Sequence, residues 1–341
     1  MKHSVVVGGA GFVGSWVVDE ILKDPSTRVT IVDNLISSEQ SNISSDPRVK
    51  FIKGSASNID VLKSISGKID YVYQLACFHG NQNSIVRPLD DFENGLKTTL
   101  VTLEWVRQNH PNARVIYAGA GCAVAEKTWD TPVPTSERDT TSLLHDSPYS
   151  ISKITGEMYC SYYAFQHSID VIRVRFQNVY GPREILGAGD WRGTDSTIWR
   201  NVVPTFIYRA LKSQNIVVNP HASRDFIYVE DLTAGISLAK QKGESGAVYN
   251  LGSGKELMIS ELAEKILVIV GNKNRIDFNY SRDWDRSGRR IADIEKTKNE
   301  LGFISQISID KGLAKTVDWF KKNLNIIEKS MSKKDFIHNQ T

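Results

Sequence analysis

The sequence predicts an α/β protein: a doubly wound parallel sheet with helices on both faces, followed by a smaller α+β lobe. Three observations carry this. Short β-branched runs alternate with helical periodicity through the first half, the first run ends in glycines that open a helix, and the alternation breaks after Arg175.

Strands are expected over 4–7, 28–32, 49–52, 71–75, 114–117 and 170–175, near-continuous apolar runs of the kind buried on both faces. Helical periodicity fills 11–23, 89–108 and 149–166 between them. Strand–helix alternation with right-handed crossovers makes a doubly wound sheet the economical topology. From Gly181 to Gly193 the chain is rich in glycine and charge and reads as a long loop. A helix over 201–212, a strand pair near Ile216 and over 225–229, and a strand over 247–251 follow. Helices over 259–270, 294–301 and 309–321 close the pattern, the last capped by Ser308. The stretch 323–341 is polar and lysine-rich without clear periodicity and reads as a frayed tail.

Composition narrows the function classes. The chain has 341 residues, 40% of them hydrophobic and 24% charged, which suits a globular protein and not a disordered one. Lys+Arg 42 against Asp+Glu 39 leaves a net charge of +3, too balanced for a dedicated nucleic-acid binder. Three scattered cysteines (Cys77, Cys122, Cys160) make neither a disulfide framework nor a zinc site, so no metal and a reducing, cytoplasmic setting are expected. No apolar run approaches the roughly 18 residues of a membrane span.

Gly8, Gly11 and Gly14 form a G-x-x-G-x-x-G between the first strand and its helix. Glycines there let the backbone approach a pyrophosphate, and the helix N-terminus offers N–H groups and a positive dipole end. A tight strand–helix turn is the plainer reading of three glycines. Asp33, at the end of the second strand, adds weight: a carboxylate there accepts ribose hydroxyls and repels a 2′-phosphate, which favours NAD over NADP. Tyr149 and Lys153, four apart at the start of a helix, share a face. An ammonium beside a phenol lowers its pKa from about 10, making a base suited to a sugar hydroxyl.

With these residues the chain resembles the extended short-chain dehydrogenase/reductases of the nucleotide-sugar epimerase/dehydratase group. The matching segments are 7–15, Val32-Asp33-Asn34-Leu35, Gln74-Leu75-Ala76 with Asn94, 147–157, 175–183 (RFQNVYGPR), 201–204, 224–231 (RDFIYVED) and 290–302 (RIADIEKTKNELG). The resemblance implies a Rossmann-like cofactor domain over 1–176, with a returning segment at about 225–250. It implies a substrate lobe over 177–224 and 251–322. Phe12 and Val13 would lie over the pyrophosphate, Asp33 and Asn34 would hold the adenosine ribose, and Ser55 and Ala56 would sit near the adenine. Leu75, Ala76, Cys77, Asn94, Ala120 and Gln177 would line the rest of the NAD site, with Lys153 on the nicotinamide ribose. Tyr149 would be the base. His79, Asn178, Asn201, Arg224 and Arg289 or Arg290 would hold a nucleoside diphosphate sugar. A homodimer packed through the helices over 89–108 and 149–166 is implied as well.

One departure matters. Relatives carry Ser or Thr beside the catalytic tyrosine; here the segment after Tyr117 reads Ala118-Gly119-Ala120-Gly121-Cys122, and the aligned position is Ala120. Dehydratases of the family follow that hydroxyl with acidic residues, where Gly121 and Cys122 stand. Cys122 has two readings, an acid/base thiol or a small packing residue. His79 and His145 are alternative proton carriers. The expected activity is therefore an NAD-dependent nucleotide-sugar epimerase or C4 oxidoreductase working through a 4-keto sugar. The alternatives are a 4,6-dehydratase and a catalytically weak sugar-nucleotide or NAD binder.

Overall fold

The computed structural model describes residues 1–78, 80–125, 128–139, 141, 143–190, 198–199, 201–273, 275–279 and 288–332. Seven strands form one sheet: β1 (Lys2–Val7), β2 (Thr27–Asp33), β3 (Val49–Lys53), β4 (Tyr71–Gln74), β5 (Arg114–Ala120), β6 (Val171–Phe176) and, after β7 (Asn178–Tyr180), β8 (Ile216–Val218) and β9 (Ser223–Tyr228), β10 (Val248–Leu251). Their order is β10-β6-β5-β4-β1-β2-β3 and every neighbouring pair is parallel. Side-chain alternation explains why β1 is apolar throughout. Val5 and Val7 pack on one face with Leu103 and Trp105, and Val6 packs on the other with Val17 and Val18. The chain turns one way from β1 to β2 and the other way to β4, so a crevice opens beyond the carboxyl ends of β1 and β4.

The predicted elements form with ends shifted by a residue or two, and four differences have physical causes. First, β5 runs on to Ala120 because Ala118, Gly119 and Ala120 pair with Val174, Arg175 and Phe176, though small side chains give no strand pattern. Second, the helix expected over 89–108 comes in pieces: Pro88–Asp91, a π-helical turn Phe92–Lys97, and Thr98–Asn109. Third, the segments at 216 and 225–229 do not pair with each other. β8 runs parallel to β12 (Ile276–Phe278), burying Ile216 and Val218 in the core of the C-terminal part. β9 instead lies between β7 and β11 (Glu256–Met258). Fourth, the polar stretch after 323 is helix. Ile309–Met331 continues through a kink at Asn323 because Ile327 is fully buried and the Ser330 hydroxyl donates to Glu39 Oε1 (2.8 Å) and Gly187 O (2.9 Å). The last tail residues, 333–341, lie outside the described residues. Among the described residues no helix is long and apolar enough to cross a membrane.

Candidate functional site

The turn after β1 is shaped to leave its backbone open. Gly8 sits at φ 84°, and its N–H donates to Val32 O at 2.8 Å. A Cβ at Gly14 would run into the Gly8 carbonyl and lie 2.8 Å from Gly9 Cα, so only glycine lets the helix start this close to the strand. That helix, Phe12–Leu22, begins at an extended Gly11 with no side-chain cap, so its first N–H groups face the crevice as an anion site.

Asp33 closes β2 and is buried. Its Oδ2 accepts from Ala10 N–H (3.0 Å) and its Oδ1 from Leu35 N–H (2.9 Å) and Ser38 Oγ (2.8 Å). Burial holds its pKa above the usual carboxylate range despite these bonds. The carboxylate thus braces the glycine turn, a duty that sequence spacing did not indicate. Asn34 Nδ2 donates to Asn94 Oδ1 at 3.0 Å, and Asn94 Nδ2 to Asp90 O at 2.9 Å, so the π-helical turn presents Asn94 to the crevice.

The crevice belongs to one cavity of about 760 Å³, ample for a cofactor and a substrate's reacting end. It is lined at the sheet end by Gly8, Gly11, Phe12, Val13, Gly14, Asp33, Asn34, Ser55, Ala56, Leu75, Ala76, Cys77 and Asn94. Tyr149 and Lys153, on the helix Pro148–His167, line it at its middle. Ser147 caps that helix, and the Tyr149 N–H donates to Ser84 Oγ at 3.1 Å. Lys153 Nζ donates to Ala118 O at 2.7 Å and stands 5.9 Å from the Tyr149 ring centroid. The pair shares a face, but the expected lowering of the phenol does not hold in the protein alone. Burial, reinforced by Cys77 and Cys122, pushes the Tyr149 pKa well above its ordinary value.

Ala118, Gly119, Ala120 and Cys122 also line the cavity, a wall without a hydroxyl. Cys122 packs with Tyr149 against Ala120, Ala123, Val124 and Ile154, as the packing reading expects, and it also lines the cavity beside the phenol, as the acid/base reading needs.

At the far end Gln177, Asn178, Asn201, Arg224 and Arg290 line the cavity. Arg224 Nη1 donates to the carbonyls of Ser223 (2.7 Å) and Gly288 (2.6 Å), which fixes its guanidinium. Arg290 is buried, with Nη1 lacking a hydrogen-bond partner among the described residues. A buried unpaired guanidinium donor facing a cavity fits a phosphate oxygen. The two adjacent arginines differ in placement. Arg289 turns away to Glu256 (2.8 and 2.9 Å) and is not part of the lining. His145 is likewise absent from the lining, and His79 lies outside the described residues.

Sequence reading missed several lining residues. Thr205 Oγ1 is buried without a partner among the described residues, and Glu184 bonds Asn201 Nδ2. Trp199, Asn219 and Arg209 complete that end, Arg209 stacking on Trp199 at 5.2 Å. Thr205 follows directly on the 201–204 segment, so its position was a usable signal; Glu184 stands in the long loop and Trp199 between that loop and the next helix, where no pattern marks them.

Comparisons with known proteins bear on the family and the fold. The chain is similar to WbmF of Bordetella bronchiseptica, solved in complex with NAD+ and UDP, at 45% identity and a TM-score of 0.85, covering 97% of this chain and 95% of that one. It is similar to the epimerase Mth375 of Methanothermobacter thermautotrophicus at 33% identity and a TM-score of 0.87, covering 96% and 95%. It is 29% identical to a putative UDP-glucose 4-epimerase of Methanocaldococcus jannaschii over 94% of this chain and 98% of that protein. The profile of the NAD dependent epimerase/dehydratase family matches residues 4–252, and this Rossmann-like chain belongs to that family of extended short-chain dehydrogenase/reductases.

Proposed function

We propose that the protein binds NAD in the crevice of the sheet and a nucleoside diphosphate sugar at the arginine end, and acts on the sugar through a 4-keto intermediate, as an epimerase or C4 oxidoreductase. The observation that carries this is continuity: one cavity joins the glycine turn, the Tyr149–Lys153 pair and Arg224 with Arg290. The lobes divide the work accordingly, residues 1–176 with the returning segment at about 225–250 holding the cofactor and the remainder the sugar nucleotide.

The glycine turn fits the pyrophosphate of NAD, since the helix Phe12–Leu22 starts without a side-chain cap and Gly11, Phe12 and Val13 line the crevice. NAD, when bound, accepts a hydride from a sugar carbon and can return it. Tyr149 Oη takes the proton from the hydroxyl on that carbon and gives it back. Lys153 Nζ, anchored on Ala118 O, supplies the positive charge that a buried phenol needs to ionise. Arg290 Nη1 and Arg224 hold the diphosphate while the sugar turns.

Elimination of water is disfavoured because the dehydratases place a carboxyl just after the wall's hydroxyl, where Gly121 and Cys122 carry none. Relatives include dTDP-glucose 4,6-dehydratases, such as that of Actinoplanes at 27% identity, and product analysis separates the two reaction types. Incubation with UDP-, GDP-, dTDP- and CDP-hexoses, read by NMR, should give an epimer or a keto sugar from one of them. A 4-keto-6-deoxy product would overturn the reading.

A homodimer fits the surface. Along the helix Pro148–His167, Ile151, Met158, Tyr162 and Phe165 are exposed on one face, Phe165 at 91%, with Leu89 and Phe92 exposed on the helix segments before Thr98. An apolar stripe of that kind suits an isologous helix-pair contact.

A further inference from the structure

A side-chain amide stands where the wall beside Tyr149 lacks a polar group. Gly121 follows β5 directly, and a Cβ there would meet the Gln177 amide, 2.6 Å from Cδ and 2.7 Å from Oε1, with Nε2 closer still. A Cβ on Gly252, at the end of β10, would lie 2.6 Å from Gln177 Cγ. Two glycines just past the ends of different strands thus keep open the slot that the Gln177 side chain fills. Its backbone is fixed at the junction of β6 and β7, the N–H donating to Leu251 O at 3.1 Å. The side chain is half-buried and lines the cavity together with Ala120, Cys122 and Tyr149. No hydrogen bond ties its amide to another of the described residues.

A fixed amide whose donors and acceptor are unused in the protein is suited to a ligand oxygen. We infer that Gln177 is a specificity-determining residue that hydrogen-bonds the reacting part of the sugar, in the space that residues 120 and 121 leave without a polar side chain. The inference rests on the proposed sugar-nucleotide reading and reassigns Gln177 from the cofactor wall to the substrate. Nε2 donates to a hydroxyl or oxo oxygen, and Oε1 accepts from a neighbouring hydroxyl. A neutral amide orients and polarises such an oxygen without delivering a proton. It therefore serves oxidation and return of hydride at a carbinol carbon, and gives no help to a leaving hydroxyl.

The test compares wild type, Gln177→Leu, which keeps the volume, and Gly121→Ser, which displaces the amide without altering it. Calorimetry measures affinity for UDP and for UDP-glucose, UDP-N-acetylglucosamine and UDP-glucuronic acid, and the tightest of the three is then followed for turnover. Both variants should bind UDP within about twofold of wild type. Both should lose about tenfold of the extra affinity for the sugar nucleotide over UDP, the usual effect of one lost hydrogen bond to a buried group, and kcat should fall at least as far. A Gln177→Leu protein with the wild-type affinity ratio and kcat overturns this inference alone. A wild-type protein that binds neither UDP nor any of the three overturns the proposed function and this inference with it.

Discussion

Asp91 and Ser152 are joined across 61 residues by a hydrogen bond of 2.5 Å, from Ser152 Oγ to Asp91 Oδ2. Ser152 directly precedes Lys153, so a buried carboxyl stands behind the proposed proton-transfer pair. Its second oxygen, Oδ1, lacks a partner among the described residues, and burial pushes the pKa up to about 6.

That carboxyl makes stability depend on pH. An ordinary aspartate in the unfolded chain titrates near 3.9, so between about 4 and 6 the folded protein holds the extra proton. Ionisation therefore destabilises the fold as pH rises through that window, and the cost is complete above it. Asp91→Asn keeps an oxygen for Ser152 and removes the cost. Its stability relative to wild type should climb from pH 4 to pH 7, by up to about 3 kcal/mol. Asp91 adds to the burial that holds the Tyr149 phenol up, so the rise of turnover with pH should begin at lower pH in the variant. A Tm difference that stays flat from pH 4 to pH 8 would contradict this.

The glycine turn should respond in a graded way. A Cβ at Gly14 collides with backbone, whereas one at Gly11 lies 3.2 Å from Gly8 O, a contact that a small shift relieves. Gly14→Ala should lose NAD binding and several degrees of Tm, and Gly11→Ala should lose much less of both. Isothermal titration with NAD and a thermal scan give the comparison; equal effects would refute the close-packing argument.

The neighbouring arginines should behave oppositely. Arg290→Ala removes a buried donor aimed into the cavity and should weaken UDP binding about 10- to 100-fold. Arg289→Ala breaks a part-exposed ion pair with Glu256 and should leave Tm nearly unchanged, with UDP affinity unchanged. If Arg289→Ala proved the weaker UDP binder of the two, the diphosphate assignment would be wrong.

The exposed apolar stripe predicts association. Wild type should sediment as two chains at micromolar concentration, and Phe165→Glu should shift the mass toward one chain while leaving the fold intact. A wild-type mass of one chain would refute the dimer.

Much of this was legible before any coordinates. The sheet, the glycine turn, Asp33 and the Tyr149–Lys153 pair follow from local periodicity and fixed spacing. What escaped depends on contacts between distant segments. Ile327, buried in the C-terminal core, and Ser330, bonded to Glu39 and Gly187, hold as helix a stretch that looks polar and aperiodic, and those partners stand far away in the chain. Asp91 looks like one of two acids on a helix until Ser152 is packed over it. Arg289 and Arg290 are indistinguishable as letters and differ only in which way each side chain turns. Gln177 became legible only through the space left empty at Gly121 and Gly252.

The central claim is that Tyr149 drives reversible redox chemistry on a sugar nucleotide with NAD. Stopped-flow absorbance in the reduced-nicotinamide band tests it most directly, with NAD-loaded wild type and Tyr149→Phe mixed with the sugar nucleotide that the NMR panel identifies. Wild type should show a transient or lasting rise in that band, and Tyr149→Phe, still binding NAD and UDP, should show it at least about 100-fold more slowly. An unchanged rate in Tyr149→Phe, or product formed with no reduction of the nicotinamide at any time, would contradict the account.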